Sequence, residues 1–157
     1  MKIRIHHFFD IIRDFGTGKE FTQHPYLHSY HIVAGEIDRN PNLDLEIVFE
    51  PDAVCTGCAY LKNTGCADSI SHRKDFSQKD AFNNYLDYRI VEICKIQTSV
   101  KFSPKTLCQI AHKYINHIEF IYEGNDQNHT QMRKENLIKG LIYYSEKFGF
   151  AVKIPNN

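Results

Sequence analysis

The sequence predicts an α+β fold, in which about five helices pack around a small sheet of two or three strands. Three observations support this fold class. Residues 2–5 and 44–49 have the alternating pattern of short strands, whereas five longer stretches repeat apolar residues at helical spacing. The chain has 157 residues, 42% of them apolar, which is sufficient for a hydrophobic core. No repeat or linker divides it, so we expect one domain spanning residues 1–157.

The first predicted helix directly follows the strand at residues 2–5. Apolar side chains at positions 8, 11, 12 and 15 lie on one of its faces, and His6 and Asp10, four residues apart, share another side. The glycines of residues 16–18 end this helix.

A second helix is predicted to begin at His24-Pro25, because proline is favoured in the first turn of a helix. His24, His28 and His31 would then lie along one face, at spacings of four and three residues. Such a row could provide ligands or proton carriers, and a solvated helix face has the same spacing. Both interpretations stay open at this point.

Three further helices are predicted in the second half of the chain. The first spans residues 78–94. The second begins at the capping pair Ser103-Pro104 and continues to about residue 121, and the last runs from about residue 129 to 147. Residues 150–154 alternate again and are a candidate third strand.

Composition excludes several classes of function. Lys plus Arg and Asp plus Glu number 19 each, so the chain has no overall charge that would attract nucleic acid or an anionic membrane. No apolar run approaches the ~20 residues of a membrane span, and the N-terminal residues do not form an export signal. We therefore expect a cytoplasmic protein that binds neither nucleic acid nor membrane.

The chain leaves the strand at 44–49 and enters a loop with three of its five cysteines, Cys55, Cys58 and Cys66. A C-x2-C step directs two sulfurs to one point, and a third thiolate can complete three corners of a zinc or iron–sulfur site. The odd, clustered set of cysteines favours reduced thiols and a metal over disulfides. Residues 1–157 would then be a single metal-binding domain with its metal loop at the exit of a strand. Cys94 and Cys108 lie within or beside apolar stripes, which is typical of core cysteines.

A polar stripe on the last predicted helix contains His129, Arg133 and Asn136. Because the N-terminus of a helix favours negative charge, His129 and Arg133 are candidates for binding the anionic group of a substrate. A solvated face with one buried polar contact would give the same pattern.

Two short motifs occur in the first half of the chain. The first is a strand, a His-His pair and two apolar residues within residues 3–10, followed by Phe15-Gly16-Thr17-Gly18. The second is the Asp-containing C-x2-C segment 51–58 with Cys66. Together they resemble the DUF1284 family of small, uncharacterised bacterial and archaeal proteins. The resemblance implies an iron–sulfur centre. Where the family has a Cys after its His-His pair, however, this chain has Asp10.

If that Cys is the family's fourth ligand, Asp10, His6 or His7 must replace it here, or the protein supplies only three ligands. A carboxylate binds iron or zinc less softly than a thiolate, so the fourth position would be labile. The spacing C-x2-C-x7-C does not distinguish an iron–sulfur cluster from zinc.

The sequence thus predicts a small cytoplasmic metalloprotein that holds an iron–sulfur cluster, or alternatively zinc, through its three clustered cysteines. An open fourth site would act on a small anionic or sulfur-containing substrate, with His6, His7 and Asp10 as catalytic residues. The alternative is a structural zinc knuckle without catalysis, whose helix with His24, His28 and His31 docks a protein partner. A third hypothesis is a metal-free domain with redox-sensitive thiols.

Overall fold

The fold was obtained as a computed structural model, which describes residues 1–63, 65–98 and 100–155. Those residues form helices and short strands, and the predicted α+β class is confirmed. In chain order the elements are β1 (Lys2–Ile3), α1 (Ile5–Gly16), α2 (Tyr30–Arg39), β2 (Leu45–Ile47), a 3-10 turn (Ala53–Cys55), β3 (Leu61–Lys62), β4 (Gly65–Cys66), α3 (Lys79–Cys94), β5 (Lys101–Phe102), α4 (Pro104–Asn116), α5 (Ile118–Ile121) and α6 (Gln127–Phe148).

The sheet is small and mixed, with β2 in its centre. β1 pairs with β2 in parallel, with Ile3 opposite Ile47, and β5 pairs with the other edge of β2 in antiparallel orientation. A separate antiparallel pair joins β3 to β4 within the cysteine-rich loop, where Leu61 lies opposite Cys66. The predicted strands at 2–5 and 44–49 are therefore present, in shorter form.

Among the described residues, the most extensive contact between two elements is that of α1 with α6. One face of α1 buries Phe8, Ile11 and Ile12 completely in the core. The two backbones meet at Gly16 and Gly140, where an added Cβ on Gly140 would lie 1.8 Å from the carbonyl oxygen of Ile12. Glycine is required at this crossing because no side chain fits between the helices.

The ends of the later helices agree with their sequence signals. The Ser103 hydroxyl accepts a hydrogen bond from the Thr106 N–H, and Pro104 occupies the first turn of α4, as predicted. The predicted helix from residue 104 to 121 divides at His117 into α4 and α5, which gives six helices among the described residues. Cys94 and Cys108 are buried in the core, as predicted.

The prediction of a helix beginning at His24 is wrong. Residues 19–29 form an irregular loop, and α2 begins only at Tyr30. Leu27 has a φ of 60°, which a right-handed helix cannot contain, and the ring nitrogens of His24 and His28 accept hydrogen bonds from the N–H groups of Tyr26 and Tyr30. Such local bonds compete with helix formation. The three histidines therefore do not form the helical docking face that the zinc-knuckle hypothesis requires.

The predicted strand at residues 150–154 is also wrong, because this segment runs without regular structure after α6. The N–H of Phe150 is used to close the helix end, where it donates to the carbonyl of Ser145. The third strand of the sheet is β5 instead. Within the described ranges, the helices are all too short or too polar to cross a membrane.

Candidate functional site

A cleft of about 610 Å³ collects most of the residues that the sequence predicted to be functional. The start of α1, the loop before α2 and the cysteine-rich loop contribute to its walls. The lining includes His6, His7, Asp10, Arg13, Lys19, His24, His28, Cys55, Cys58, Cys66 and Lys79. Sequence positions as distant as 6 and 66 thus line one cleft.

His6, in the first turn of α1, is held by the buried carboxylate of Asp87. Its ring Nδ1 donates to Asp87 Oδ1 at 2.8 Å, and its backbone N–H donates to the same oxygen at 2.9 Å. Burial lowers the pKa of His6. The negative charge of Asp87 opposes this decrease but does not cancel it, because the positive charges of His7 and Arg4 lower the pKa further. His6 is therefore neutral at pH 7, with its free lone pair on Nε2.

His7 is held in the same manner by Asp52. Its Nδ1 lies 2.9 Å from Asp52 Oδ2, while the other carboxylate oxygen accepts from the N–H groups of Val54 and Cys55 at 3.1 and 3.3 Å. Burial would lower the pKa of His7, but Asp52 outweighs it and the pKa rises. Burial in turn opposes ionisation of Asp52, yet the charge and hydrogen bond of His7 and the backbone N–H of Arg4 lower the pKa of Asp52 to about 2. One carboxylate thus fixes both His7 and the turn that bears Cys55.

A buried arginine connects these carboxylates to the third cysteine. Arg4 is 2% exposed, and its Nε donates to Asp87 at 2.7 Å while Nη1 donates to Asp80 at 3.2 Å. Asp80 also accepts a hydrogen bond from the N–H of Cys66 at 3.4 Å. The backbone N–H of Arg4 donates to Asp52 at 2.7 Å. The histidines and two of the cysteines therefore belong to one hydrogen-bonded network.

Asp10, predicted as a catalytic residue and metal ligand, lies in the cleft but is bound to two arginines. Its Oδ1 accepts from Arg13 at 2.9 Å and forms an ion pair with Arg133 of α6. Burial opposes its ionisation, but the two guanidinium groups lower its pKa well below the usual range. In this arrangement the carboxylate is engaged in ion pairs.

The three clustered cysteines are half-buried free thiols. Burial, reinforced by the negative charge of Asp52, raises the pKa of Cys55 to about 12. In residues 1–63, 65–98 and 100–155, no group of three or more His, Cys, Asp or Glu side chains is arranged as a metal-ion site. The cysteines thus share a cleft without forming a closed ligand cage.

A second cavity of about 270 Å³ adjoins the cleft and contains two of the three residues predicted to bind substrate, His129 and Arg133. It shares His6 and Asp10 with the larger cleft. Asn136, the third of these residues, lies outside both cavities, and its carbonyl oxygen packs against Gly16 instead.

Sequence reasoning missed the carboxylates that orient the histidines. The sequence could have indicated Asp52 as a site residue, because it precedes the C-x2-C pair in the second motif. Asp87 had a weaker signal, since it lies between the apolar positions Leu86 and Ile90 of the predicted helix. A buried aspartate requires a polar partner, but the sequence does not show that its partners are Arg4 and His6.

Comparisons with protein-family models, with curated proteins and with solved structures found no match to this chain. The resemblance to the DUF1284 family stays a prediction that rests on the two motifs.

Proposed function

We propose that this protein binds a metal centre through Cys55, Cys58 and Cys66 and presents it in an open cleft to a small anionic or sulfur-containing substrate. The observation that carries the proposal is that all three cysteines line the same cleft as two carboxylate-bound histidines. Thiolates bind both iron–sulfur clusters and zinc. We take the iron–sulfur cluster as the first candidate and zinc as the alternative.

His7 is the best-supported fourth ligand. A histidine that binds a metal usually donates its second ring N–H to a carboxylate, which fixes the ring and raises its basicity. His7 has this arrangement with Asp52, and the same carboxylate holds the backbone of Cys55. Asp10 is a poorer candidate because Arg13 and Arg133 already bind its carboxylate.

His6 is then the proton carrier. Its pKa is lowered, so the ring is neutral and its Nε2 can accept a proton at pH 7. It lines both the main cleft and the smaller cavity, so a bound molecule that occupies either space would be near this ring. We assign His6 the role of general base.

The width of the cleft favours substrate binding over a structural zinc knuckle. Structural zinc is enclosed by four protein ligands, whereas catalytic metals retain an open position. Here the cysteines line a space of about 610 Å³, which is far more open than a four-ligand cage. The cations Arg13, Lys19 and Lys79 also line it, and each is paired with an aspartate.

Metal analysis of protein expressed and purified without oxygen tests the proposal. We expect brown protein with equal amounts of iron and sulfide, or colourless protein with equimolar zinc. Cys58→Ser should lose most of the metal, whereas the matched control Cys94→Ala should retain it, because Cys94 is buried in the core. Wild-type protein that contains neither metal, and that is as stable as Cys58→Ser, would refute the metal centre.

The same measurement distinguishes the two histidines. We expect His7→Gln to bind the metal much more weakly and His6→Gln to retain it. Metal loss in His6→Gln alone would reverse the two assignments.

A further inference from the structure

The smaller cavity lies beside the metal cleft, between the start of α3, the segment at residues 69–72 and the first turns of α6. Its volume of about 270 Å³ suits a small chemical group rather than a whole cofactor. The polar residues that line it are His6, Asp10, Ser69, Ser71, His72, Lys79, Asn83, Asn125, His129 and Arg133. Ile70, Phe82, Leu86 and Tyr122 supply the rest of the lining, so the polar side chains are set within partly apolar walls.

Arg133 is fixed in this cavity but only partly hydrogen-bonded. One Nη binds Asp10, and the guanidinium carbon lies 4.6 Å from the centre of the Tyr122 ring. The side chain is 13% exposed, and among the described residues its buried Nε has no hydrogen-bond partner. A buried donor without an acceptor is costly, and an arginine fork commonly binds an oxyanion through paired N–H groups.

The charges around the cavity favour an anion. Lys79 and Arg133 contribute two permanent positive charges, and Asp10, which is the cavity's one carboxylate among the described residues, is shared between Arg133 and Arg13. Partial burial lowers the pKa of His72, and the nearby side chains of His129, Arg73, Lys79 and Arg133 lower it further. Lys79 pairs with Asp68, but it remains 46% exposed and lines both cavities.

We propose that this cavity binds the carboxylate or phosphate group of a small molecule, with Arg133 as its principal ligand and Lys79 and His129 as further donors. The remainder of the molecule extends past His6, which lines both spaces, into the metal cleft. The role of this subsite in holding a substrate rests on the proposed function. Binding of an anion in the cavity does not require the metal.

Titration of the protein with inorganic phosphate and with acetate, followed by NMR of the histidine ring protons, tests the subsite. Two or three charge-assisted hydrogen bonds correspond to a dissociation constant on the order of 1 mM. We expect the signals of His72 and His129 to shift with at least one anion. Arg133→Ala should weaken binding about 10- to 100-fold. The matched control Arg89→Ala should bind normally, because Arg89 lies outside both cavities.

Lys79→Met provides a second variant if Arg133→Ala does not fold, because Lys79 is exposed and its loss does not open the core. We expect it to weaken anion binding roughly twofold to fivefold. Cys58→Ser should bind the anion as the wild type does, so the subsite can fail or succeed independently of the metal centre. No binding of either anion at concentrations well above the expected constant, or equal binding by wild type, Arg133→Ala and Lys79→Met, would overturn the subsite.

Discussion

Replacing Asp87 by Asn tests whether the Arg4 network holds the fold together. Asp87 is fully buried and accepts hydrogen bonds from Arg4 Nε, His6 N–H and His6 Nδ1. Removing one partner of a buried ion pair costs about 3–5 kcal/mol, because the other charge stays buried without compensation. Arg4 retains Asp80 and Asn84, so we expect the lower end, ~3 kcal/mol. A domain typically has only about 5–15 kcal/mol of stability.

Urea unfolding at neutral pH provides the measurement, with Asp80→Asn as the matched control. Asp80 binds the same arginine at 3.2 Å, but its side chain is 23% exposed, so water compensates for its loss. We expect the control to cost about 1 kcal/mol. Equal losses of unfolding free energy in the two variants would refute the reasoning.

Acid provides an independent check on Asp87. Burial would raise its pKa, but His6 and Arg4 lower it below the usual value. A carboxylate whose pKa is lower in the folded state stabilises the fold above the unfolded pKa, ~3.9, and this contribution is lost as the pH falls through the folded pKa. The difference in stability between wild type and Asp87→Asn should therefore shrink below about pH 4. A difference that stays constant down to acid unfolding would contradict this account.

Two predictions concern the backbone. Gly140→Ala should lower the free energy of unfolding in urea by about 3 kcal/mol or more, because the new Cβ would meet the Ile12 carbonyl of α1. As the control, Gly149→Ala has open space but a φ of +67°, so it should cost only about 1–2 kcal/mol. Equal losses in the two variants would contradict the close crossing of α1 and α6. Lys95→Gly should raise the unfolding free energy by up to ~1 kcal/mol, because Lys95 ends α3 in the left-handed conformation that glycine adopts without strain. A loss of stability in Lys95→Gly would show that its side chain contributes more than its backbone costs.

The helices were predictable where local signals and burial agree. The apolar face at residues 8–15 and the Ser103-Pro104 cap both placed helices correctly. The helix at His24 failed because long-range contacts reinforce the local hydrogen bonds of the His24 and His28 rings. The loop is bound to the cysteine segment through the N–H of Ser29 and the carbonyl of Tyr26, and no periodicity reveals such pairing. Likewise, β5 is two residues long and is defined only by its partner β2.

The candidate site was predictable as a set of residues but not as a network. The chemistry of histidine and clustered cysteine drew attention to His6, His7 and the cysteine loop, which the fold brings to one cleft. The i,i+3 spacing could have indicated Arg13 as a partner of Asp10, but Arg133 could not be predicted because it lies 123 positions away on another helix. A sequence shows which groups can ionise, whereas their pairing depends on tertiary packing.

The glycine contact between α1 and α6 also determines which walls of the cleft can adapt. Because the two backbones touch, α1 cannot slide or tilt toward a ligand without pushing into α6. His6 and His7 therefore lie on a rigid support, whereas much of the remaining wall comes from the loops at residues 19–28 and 51–60. Ligands of different shapes would be accommodated by those loops, with the imidazole rings as the constant reference point.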